Sequence, residues 1–145
     1  MKIVIGSDHA AFEMKELVKK FLQSKHIEFI DVGTHSLERS DYPDYASAVA
    51  KTVLADNLTG ILLCGSGIGV SIVANRYRGI RAALCRSPYD AEMARKHNDA
   101  NVLCLGARTN TEEEIKAIIE SWFANSFEGG RHADRLKKFE NLGEC

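Results

Sequence analysis

The stretch GILLCGSGIGVSIVANR, residues 60–76, decides the fold of this chain. Its apolar beginning predicts a short buried strand that runs up to Cys64. The glycine-rich turn GSGIG of residues 65–69 follows, and an apolar pattern with helical spacing begins at Val70. A strand that passes through a tight turn into a helix is the basic unit of a parallel α/β sheet.

The same turn predicts an anion-binding site beside a reactive thiol. Three glycines in five residues let successive backbone N–H groups point into one small concavity. The N-terminus of the following helix adds a partial positive charge, and both features favour the thiolate form of Cys64. A lone cysteine is more often a small buried apolar residue, and Cys85 and Cys104, which no glycine turn follows, are interpreted in that way.

Short apolar runs alternate with helical patterns along the whole sequence. We predict strands at residues 2–5, 28–32, 60–63, 81–84 and 101–105, and helices at residues 11–24, 44–55, 70–76, 88–97, 111–125 and 133–141. Pro88 and Thr111, the latter followed by three glutamates, mark two helix starts. Such alternation predicts one doubly wound α/β domain, residues 1–145. Its five-stranded parallel sheet would have the order 2-1-3-4-5, with helices on both faces and a C-terminal helix.

The composition excludes several classes of protein. With 145 residues, 45% of them hydrophobic and 27% charged, the chain has the size and composition of one globular domain. The formal net charge of −1 provides no overall basic field for nucleic acid. The apolar start is too short for a signal peptide, and no run has membrane-spanning length. Four widely spaced cysteines without a C-x-x-C pair are typical of a reducing cytoplasm.

The predicted topology places polar residues at one edge of the sheet. In a doubly wound sheet, ligands bind outside the carboxyl ends of the strands, where the strand order reverses. The first strand ends near Asp8 and His9, the third at Cys64 and the fifth before Arg108. We therefore expect these residues to lie close together. The alternative for Asp8 is that it caps a following helix.

Two further groups of residues suggest binding. Arg131 and Arg135 are four residues apart, so they share one face of a predicted helix. Two guanidinium groups on one face can bind a phosphate group. The alternative is that this face is an ordinary charged surface in contact with solvent. His97 closes a predicted helix, where a cation would also stabilise the helix C-terminus. The histidines and cysteines lack the short spacing of metal ligands, and the glycine turn matches no nucleotide-binding pattern. Neither a metal nor a cofactor is predicted.

Several short motifs together resemble one family of enzymes. They are Gly6-Ser7-Asp8-His9-Ala10, Asp41-Tyr42-Pro43, Cys64-Gly65-Ser66-Gly67-Ile68-Gly69, Ala74-Asn75, Lys96-His97-Asn98, Gly106-Ala107-Arg108 and Gly129-Gly130-Arg131-His132. In this order, and over nearly the whole chain, they are similar to the sugar-phosphate isomerase family that includes ribose-5-phosphate isomerase B, galactose-6-phosphate isomerase subunits and allose-6-phosphate isomerases.

The resemblance implies a role for each of these motifs. Cys64 would be the base that abstracts a proton, and His97 the acid that assists opening of the sugar ring. The residues implied in substrate binding are Asp8, His9, Tyr42, Gly65, Ser66, Gly67, Ile68, Gly69, Asn98, Arg108, Arg131 and Arg135. The family also implies a homodimer or tetramer with sites between subunits, so that His97, Asn98 and Arg108 enter from the partner chain.

The expected reaction interconverts ribose 5-phosphate and ribulose 5-phosphate, in the pentose phosphate pathway, through a cis-enediolate and without cofactor or metal. One branch of the family uses a glutamate just after the anion-hole glycine, but Val70 stands there, so the cysteine-based branch fits. Two alternatives stay open: isomerisation of a six-carbon aldose 6-phosphate such as allose or galactose 6-phosphate, and non-catalytic binding of a phosphosugar. A cysteine-dependent phosphatase is disfavoured, because residues 65–71 contain no arginine.

Overall fold

Five parallel strands form one sheet within residues 1–143, the part of the chain that the computed structural model describes. The strands are β1 (Lys2–Ser7), β2 (Glu28–Asp31), β3 (Thr59–Cys64), β4 (Ala82–Leu84) and β5 (Val102–Gly106). The helices are α1 (Phe12–Ser24), α2 (Tyr42–Asp56), α3 (Ile68–Ala74), α4 (Pro88–Asn98), α5 (Glu112–Ala124) and α6 (Arg131–Lys137), with a short 3-10 helix (His9–Ala11) before α1. The predicted α/β class is confirmed; Cys145 lies outside the described residues.

The sheet order is β2-β1-β3-β5-β4, so the predicted order of the last two strands was wrong. All residues of β5 are buried, whereas the residues of β4 are only partly buried. A strand that is apolar throughout and buried on both faces belongs in the interior of a parallel sheet. A very short strand suits an edge. β5 therefore pairs with β3 on one side and with β4 on the other.

Helices cover both faces of the sheet and create two apolar cores. Ile3 and Ile5 of β1 face a core that also holds Trp122 of α5. Val4, between them in sequence, faces the opposite core together with Val49 of α2, because side chains alternate across a strand. All five side chains are fully or almost fully buried. The packed sheet therefore fixes where each strand ends.

Two predicted helix starts are confirmed. α4 begins at Pro88, and the hydroxyl of Ser87 accepts a hydrogen bond from the Asp90 N–H over 3.2 Å. α5 follows Thr111, which forms a reciprocal capping box with Glu114. Every helix among the described residues is too short or too polar to traverse a bilayer.

α3 and α6 begin earlier than predicted, at Ile68 and Arg131. In both cases the preceding residue is a glycine with positive φ, 77° at Gly67 and 57° at Gly130. Glycine adopts this conformation at little cost, so the chain turns directly into the helix. α6 also ends earlier than predicted, at Lys137.

A buried ion pair joins β2 to α1. The Lys15 side chain is 0% exposed, and its Nζ donates to both carboxylate oxygens of Asp31 over 2.7 and 2.6 Å. Lys19 Nζ and the Gly33 N–H donate to the same carboxylate over 2.8 and 2.9 Å. Burial alone would raise the pKa of Asp31, but these hydrogen bonds outweigh it and hold the pKa below its ordinary value. Asp31 therefore stays ionised beside the buried ammonium.

Candidate active site

The loop after β3 folds around the sulfur of Cys64. Cys64 is 5% exposed and ends the strand. The Gly67 N–H donates a hydrogen bond to Cys64 Sγ over 3.2 Å, and the Ile68 N–H donates to Ser66 Oγ over 3.1 Å. The loop therefore presents backbone donors around the thiol, as the glycine pattern predicted.

Two glycines of this loop lie where a side chain would lack space, and one of them, Gly67, also has a positive φ of 77°. A Cβ at Gly67 would lie 2.6 Å from Leu84 Cδ1 and 2.9 Å from the carbonyl carbon of Leu105. A Cβ at Gly69 would lie 2.7 Å from Cε2 of the Tyr42 ring. The loop therefore packs against β5 on one side and against the Tyr42 ring on the other. Tyr42 thus lies beside the glycine loop, as predicted.

Several backbone donors of the loop have no partner within residues 1–143. The N–H groups of Gly65, Ser66 and Gly69 make no hydrogen bond to any part of that range. Unpaired backbone N–H groups attract an anionic oxygen strongly, because amides that are already ordered need no further reorganisation. The loop can therefore hold an oxyanion near Cys64.

Asp8 and His9 lie at the end of the neighbouring strand β1. Asp8 is buried, and its Oδ1 accepts a hydrogen bond from the Ala11 N–H over 3.3 Å, so the capping interpretation is confirmed for this oxygen. The His9 N–H donates to Ser40 Oγ over 3.0 Å, and His9 Nδ1 lies 3.1 Å from the backbone nitrogen and oxygen of Ser40. These contacts fix the ring and leave its Nε2 for a ligand. Ser40 was not predicted, since its contact with His9 spans 31 residues.

Arg108 lies beside the loop within the same chain. Its N–H donates to the carbonyl of Gly65 over 2.9 Å. Its guanidinium Nη1 lies 3.3 Å from the position that a Cβ would occupy at Gly65. The resemblance implied that Arg108 enters from a partner, but in this chain its own Arg108 contacts the loop. We call the set formed by Asp8, His9, Tyr42, Cys64, Gly65, Ser66, Gly67, Ile68, Gly69 and Arg108 the carboxyl-edge group.

The remaining predicted residues form a second cluster around His97. The rings of His97 and His132 stack, with centroids 4.2 Å apart and planes inclined by 13°. His97 Nε2 lies 3.9 Å from Glu128 Oε1. Arg131 and Arg135 lie on α6, four residues apart as predicted, and both act electrostatically on His132. We call the set formed by His97, Asn98, Glu128, Arg131, His132 and Arg135 the amino-edge group.

His132 differs in protonation from an ordinary surface histidine. Burial, together with the charges of His97 and of the two arginines, lowers its pKa below the ordinary value, although Glu128 acts in the opposite direction. The ring is therefore neutral at neutral pH. The sequence interpretation assigned no role to His132 or Glu128, although His132 belongs to the quoted Gly-Gly-Arg-His motif and the two residues are spaced i, i+4.

The two groups lie at opposite ends of the strands in one chain, the carboxyl-edge group where the strands end and the amino-edge group where they begin. The carbonyls of Asn98 and Asp99 accept hydrogen bonds from Arg81 Nε over 3.1 and 2.9 Å, which places the end of α4 next to the start of β4. Cys64 lies at the other end of the strands, where its carbonyl accepts from the Ala107 N–H. At about 3.3 Å per residue, β3 extends about 13 Å from Gly60, which pairs with Val102 at the start of β5, to Cys64. Within one chain, His97 and Cys64 therefore lie at opposite ends of the strands.

Comparison with known proteins identifies the family. Residues 3–139 match the family described as ribose/galactose isomerase. The chain belongs to this family. The family inferred from the sequence motifs is confirmed.

Several members of this family are similar over almost their whole length. Ribose-5-phosphate isomerase B of Escherichia coli K12 is 46% identical over 137 residues, which cover 94% of this chain and 92% of that protein. The ribose 5-phosphate isomerase of Thermotoga maritima has a TM-score of 0.94 at 51% identity, covering 97% of this chain and 98% of that one. Ribose-5-phosphate isomerase B of Mycoplasma genitalium, solved with bound ribulose-5-phosphate, has a TM-score of 0.92 at 39% identity, covering 96% and 93% of the two chains.

Proposed function

We propose that this chain is an aldose–ketose isomerase that interconverts ribose 5-phosphate and ribulose 5-phosphate. The observation that carries the proposal is the hydrogen bond from the Gly67 N–H to Cys64 Sγ, within a loop that has further unpaired donors. Membership of the isomerase family supports the reaction class. The ribulose-5-phosphate bound to the Mycoplasma genitalium relative supports a five-carbon substrate.

The Cys64 thiolate is the base in this proposal. It takes the proton from C2 of the open-chain aldose, and the electron pair of that bond forms the C1–C2 double bond of a cis-enediolate. The thiol returns its proton to C1, the proton on the C2 oxygen moves to the C1 oxygen, and the carbonyl forms at C2. One base suffices, because C1 and C2 are adjacent and present their protons to the same face of the enediolate.

The loop donors stabilise the intermediate. Negative charge collects on the former carbonyl oxygen as the proton leaves C2. The N–H groups of Gly65, Ser66 and Gly69, which belong to the loop that follows Cys64, would donate to that oxygen. Loss of one such donor typically costs about 3–4 kcal/mol of transition-state stabilisation.

A complete site requires two copies of the chain. The carboxyl-edge group supplies the base and the donors, and the amino-edge group supplies His97 for ring opening and two arginines for the phosphate. Arg131 and Arg135 present two guanidinium groups on one face of α6, which suits the oxygens of a phosphate. Because the two groups lie at opposite ends of the strands in one chain, we infer that the carboxyl-edge group of one subunit meets the amino-edge group of another. A homodimer is the smallest assembly that provides this.

A substrate panel tests the function. The purified chain is incubated with ribose 5-phosphate, allose 6-phosphate, galactose 6-phosphate and unphosphorylated ribose, and ketose formation is followed by NMR. We expect the fastest conversion for ribose 5-phosphate, conversion at least about 10²-fold slower by Cys64→Ser, and retained conversion by the core control Cys85→Ala. Faster conversion of a six-carbon phosphate would contradict the substrate, and binding without conversion of any sugar would indicate a phosphosugar-binding protein.

A further inference from the structure

Three side chains of the amino-edge group place possible metal-ligand atoms close to one another. One donor atom each from His97, Glu128 and His132 lies within 4.8 Å of the other two. The backbone holds the three residues together, because the Glu128 N–H donates to the Lys96 carbonyl over 3.1 Å and the His132 N–H donates to the Gly129 carbonyl over 3.1 Å. The cluster therefore joins the end of α4 to the beginning of α6.

The chemistry of these donors is that of a transition-metal site. Two imidazoles and one carboxylate form a ligand set that suits Zn²⁺ and neighbouring divalent ions, with metal–nitrogen distances of about 2.0–2.1 Å and metal–oxygen distances of about 2.0–2.2 Å. Mg²⁺ and Ca²⁺ prefer ligands that are all oxygen. Three protein ligands also leave one position open for water.

A second observation concerns the buried ring of this cluster. His132 is 4% exposed, and its Nε2 has no hydrogen-bond partner within residues 1–143. A buried polar nitrogen without a partner is costly. Because His132 Nε2 makes no hydrogen bond within residues 1–143, this nitrogen is available to a ligand.

The His97 ring must turn out of the stack before all three ligands can bind one ion, because the rings of His97 and His132 are inclined by only 13° and an imidazole binds a metal in its own plane. Ligand atoms bound to one tetrahedral metal lie about 3.4 Å apart, against 3.9 Å between His97 Nε2 and Glu128 Oε1. The side chains of His97 and Glu128 are 39% and 51% exposed, so they can move, while buried His132 stays fixed. The charges of Arg131 and Arg135 oppose a dication and the Glu128 carboxylate offsets them in part, so binding would be reversible.

We propose that His97, Glu128 and His132 form a reversible binding site for a divalent transition-metal ion such as Zn²⁺, and that the bound ion inhibits the chain. The inhibition rests on the proposed function, because an imidazole bound to a metal cannot deliver a proton to the sugar ring. The metal site itself rests on the three side chains alone.

Calorimetric titration with ZnCl₂, in buffer without chelator, tests the site. Wild type should bind one ion per chain, and Glu128→Gln, which keeps the shape and removes the anionic ligand, should bind at least about tenfold more weakly. The control Glu113→Gln removes an equal charge from a glutamate whose side chain is 85% exposed on α5, and it should bind as wild type does.

Zinc could instead bind to the thiol of Cys64, and the variant Cys64→Ser distinguishes that site from the site at His97, Glu128 and His132. The proposal is overturned if zinc binding is unchanged in Glu128→Gln or is lost in Cys64→Ser. Retained binding in Cys64→Ser with loss in Glu128→Gln supports it. Co²⁺ provides a second probe, since a thiolate ligand would add a strong sulfur-to-metal absorption band that a nitrogen and oxygen site lacks.

The isomerase assay distinguishes failure of this proposal from failure of the proposed function. With each rate normalised to that of the same variant in chelator, zinc should inhibit wild type and Glu113→Gln but spare Glu128→Gln. A chain that isomerises ribose 5-phosphate but binds no zinc contradicts the metal site alone. A chain that binds one zinc ion but isomerises no sugar phosphate supports the metal site and contradicts the function.

Discussion

The Gly67 N–H donates a hydrogen bond to Cys64 Sγ over 3.2 Å, from a residue whose φ of 77° and lack of space for a Cβ exclude other side chains. This hydrogen bond fixes the position of the sulfur relative to the other N–H groups of the loop. We therefore expect replacement of Cys64 to reduce catalysis more than it reduces the stability of the fold.

Replacement of the sulfur should reduce turnover. Cys64→Ser is expected to lower kcat for ribose 5-phosphate by at least about 10²-fold with little change in KM, since positioned acid–base groups contribute about 10²–10⁴-fold. Steady-state kinetics measures the effect, after circular dichroism has shown that the variant is folded. Wild-type kcat in this variant would exclude Cys64 as the base.

The described cysteines should differ in reactivity towards a thiol reagent. Burial and the nearby Asp90 raise the pKa of Cys85 to about 12, and burial raises the pKa of Cys104 well above its ordinary value. Both thiols should stay neutral at pH 8, so iodoacetamide should label Cys64 first, and ribose 5-phosphate should protect it. Peptide mass spectrometry, in a Cys145→Ser background, locates the label; equal labelling of Cys85 would contradict the prediction.

The arginines of α6 should act on the phosphate. Arg131→Ala should raise KM for ribose 5-phosphate about tenfold or more, since bidentate charge-assisted hydrogen bonds are among the strongest available. Conversion of unphosphorylated ribose, slow in wild type, should change little. Lys137→Ala, on the same helix, is the control; an equal loss on both sugars would indicate a structural role for Arg131.

Subunits with complementary defects should restore activity when mixed. Cys64→Ser lacks the base and His97→Asn lacks the acid, so each should be nearly inactive on cyclic substrate. Because a mixed dimer contains one site with both wild-type groups, re-equilibrated mixtures should recover part of the wild-type rate. If native mass spectrometry shows subunit exchange but no activity returns, the base and the acid of one site do not come from two different chains.

The pair between Lys15 and Asp31 should control stability at low pH. Asp31→Asn removes the charge 2.6 Å from the buried Lys15 ammonium and leaves it only the Glu16 carboxylate, 3.8 Å away. It should therefore reduce the free energy of unfolding by about 3–5 kcal/mol. Glu16→Gln weakens a more exposed pair with Lys19 and a longer contact of 3.8 Å with Lys15, and it should cost less, about 1 kcal/mol. Because the folded pKa of Asp31 is depressed, its contribution is present above about pH 4 and is lost as the pH falls through the folded value. Urea unfolding at pH 3 and pH 7 measures the free energy of unfolding of wild type and of both variants. An equal loss of free energy in Asp31→Asn at the two pH values would contradict the stabilising role of the Asp31 charge.

Local features of the sequence predicted more than distant ones. The strand, turn and thiol of residues 60–69 are adjacent, so their arrangement followed from glycine conformation and apolar spacing. The order of β4 and β5 depends on which strand is buried on both faces, which the uninterrupted apolar run Val102–Gly106 signalled but the predicted order ignored. The contacts of His9 with Ser40 and of His97 with His132 join residues 31 and 35 positions apart, and no local pattern encodes them.

The placement of the two groups at opposite ends of the strands has a consequence for mixed populations of chains. Each subunit of the proposed dimer lends its sulfur to one site and its imidazole to the other. A chain that lacks both Cys64 and His97 but still assembles would therefore disable both sites of any dimer it enters, including the one built around its normal partner's sulfur. Activity in such a mixture would fall with the square of the normal fraction, so a doubly defective copy would be dominant-negative, whereas a singly defective copy would leave one site intact in every mixed pair.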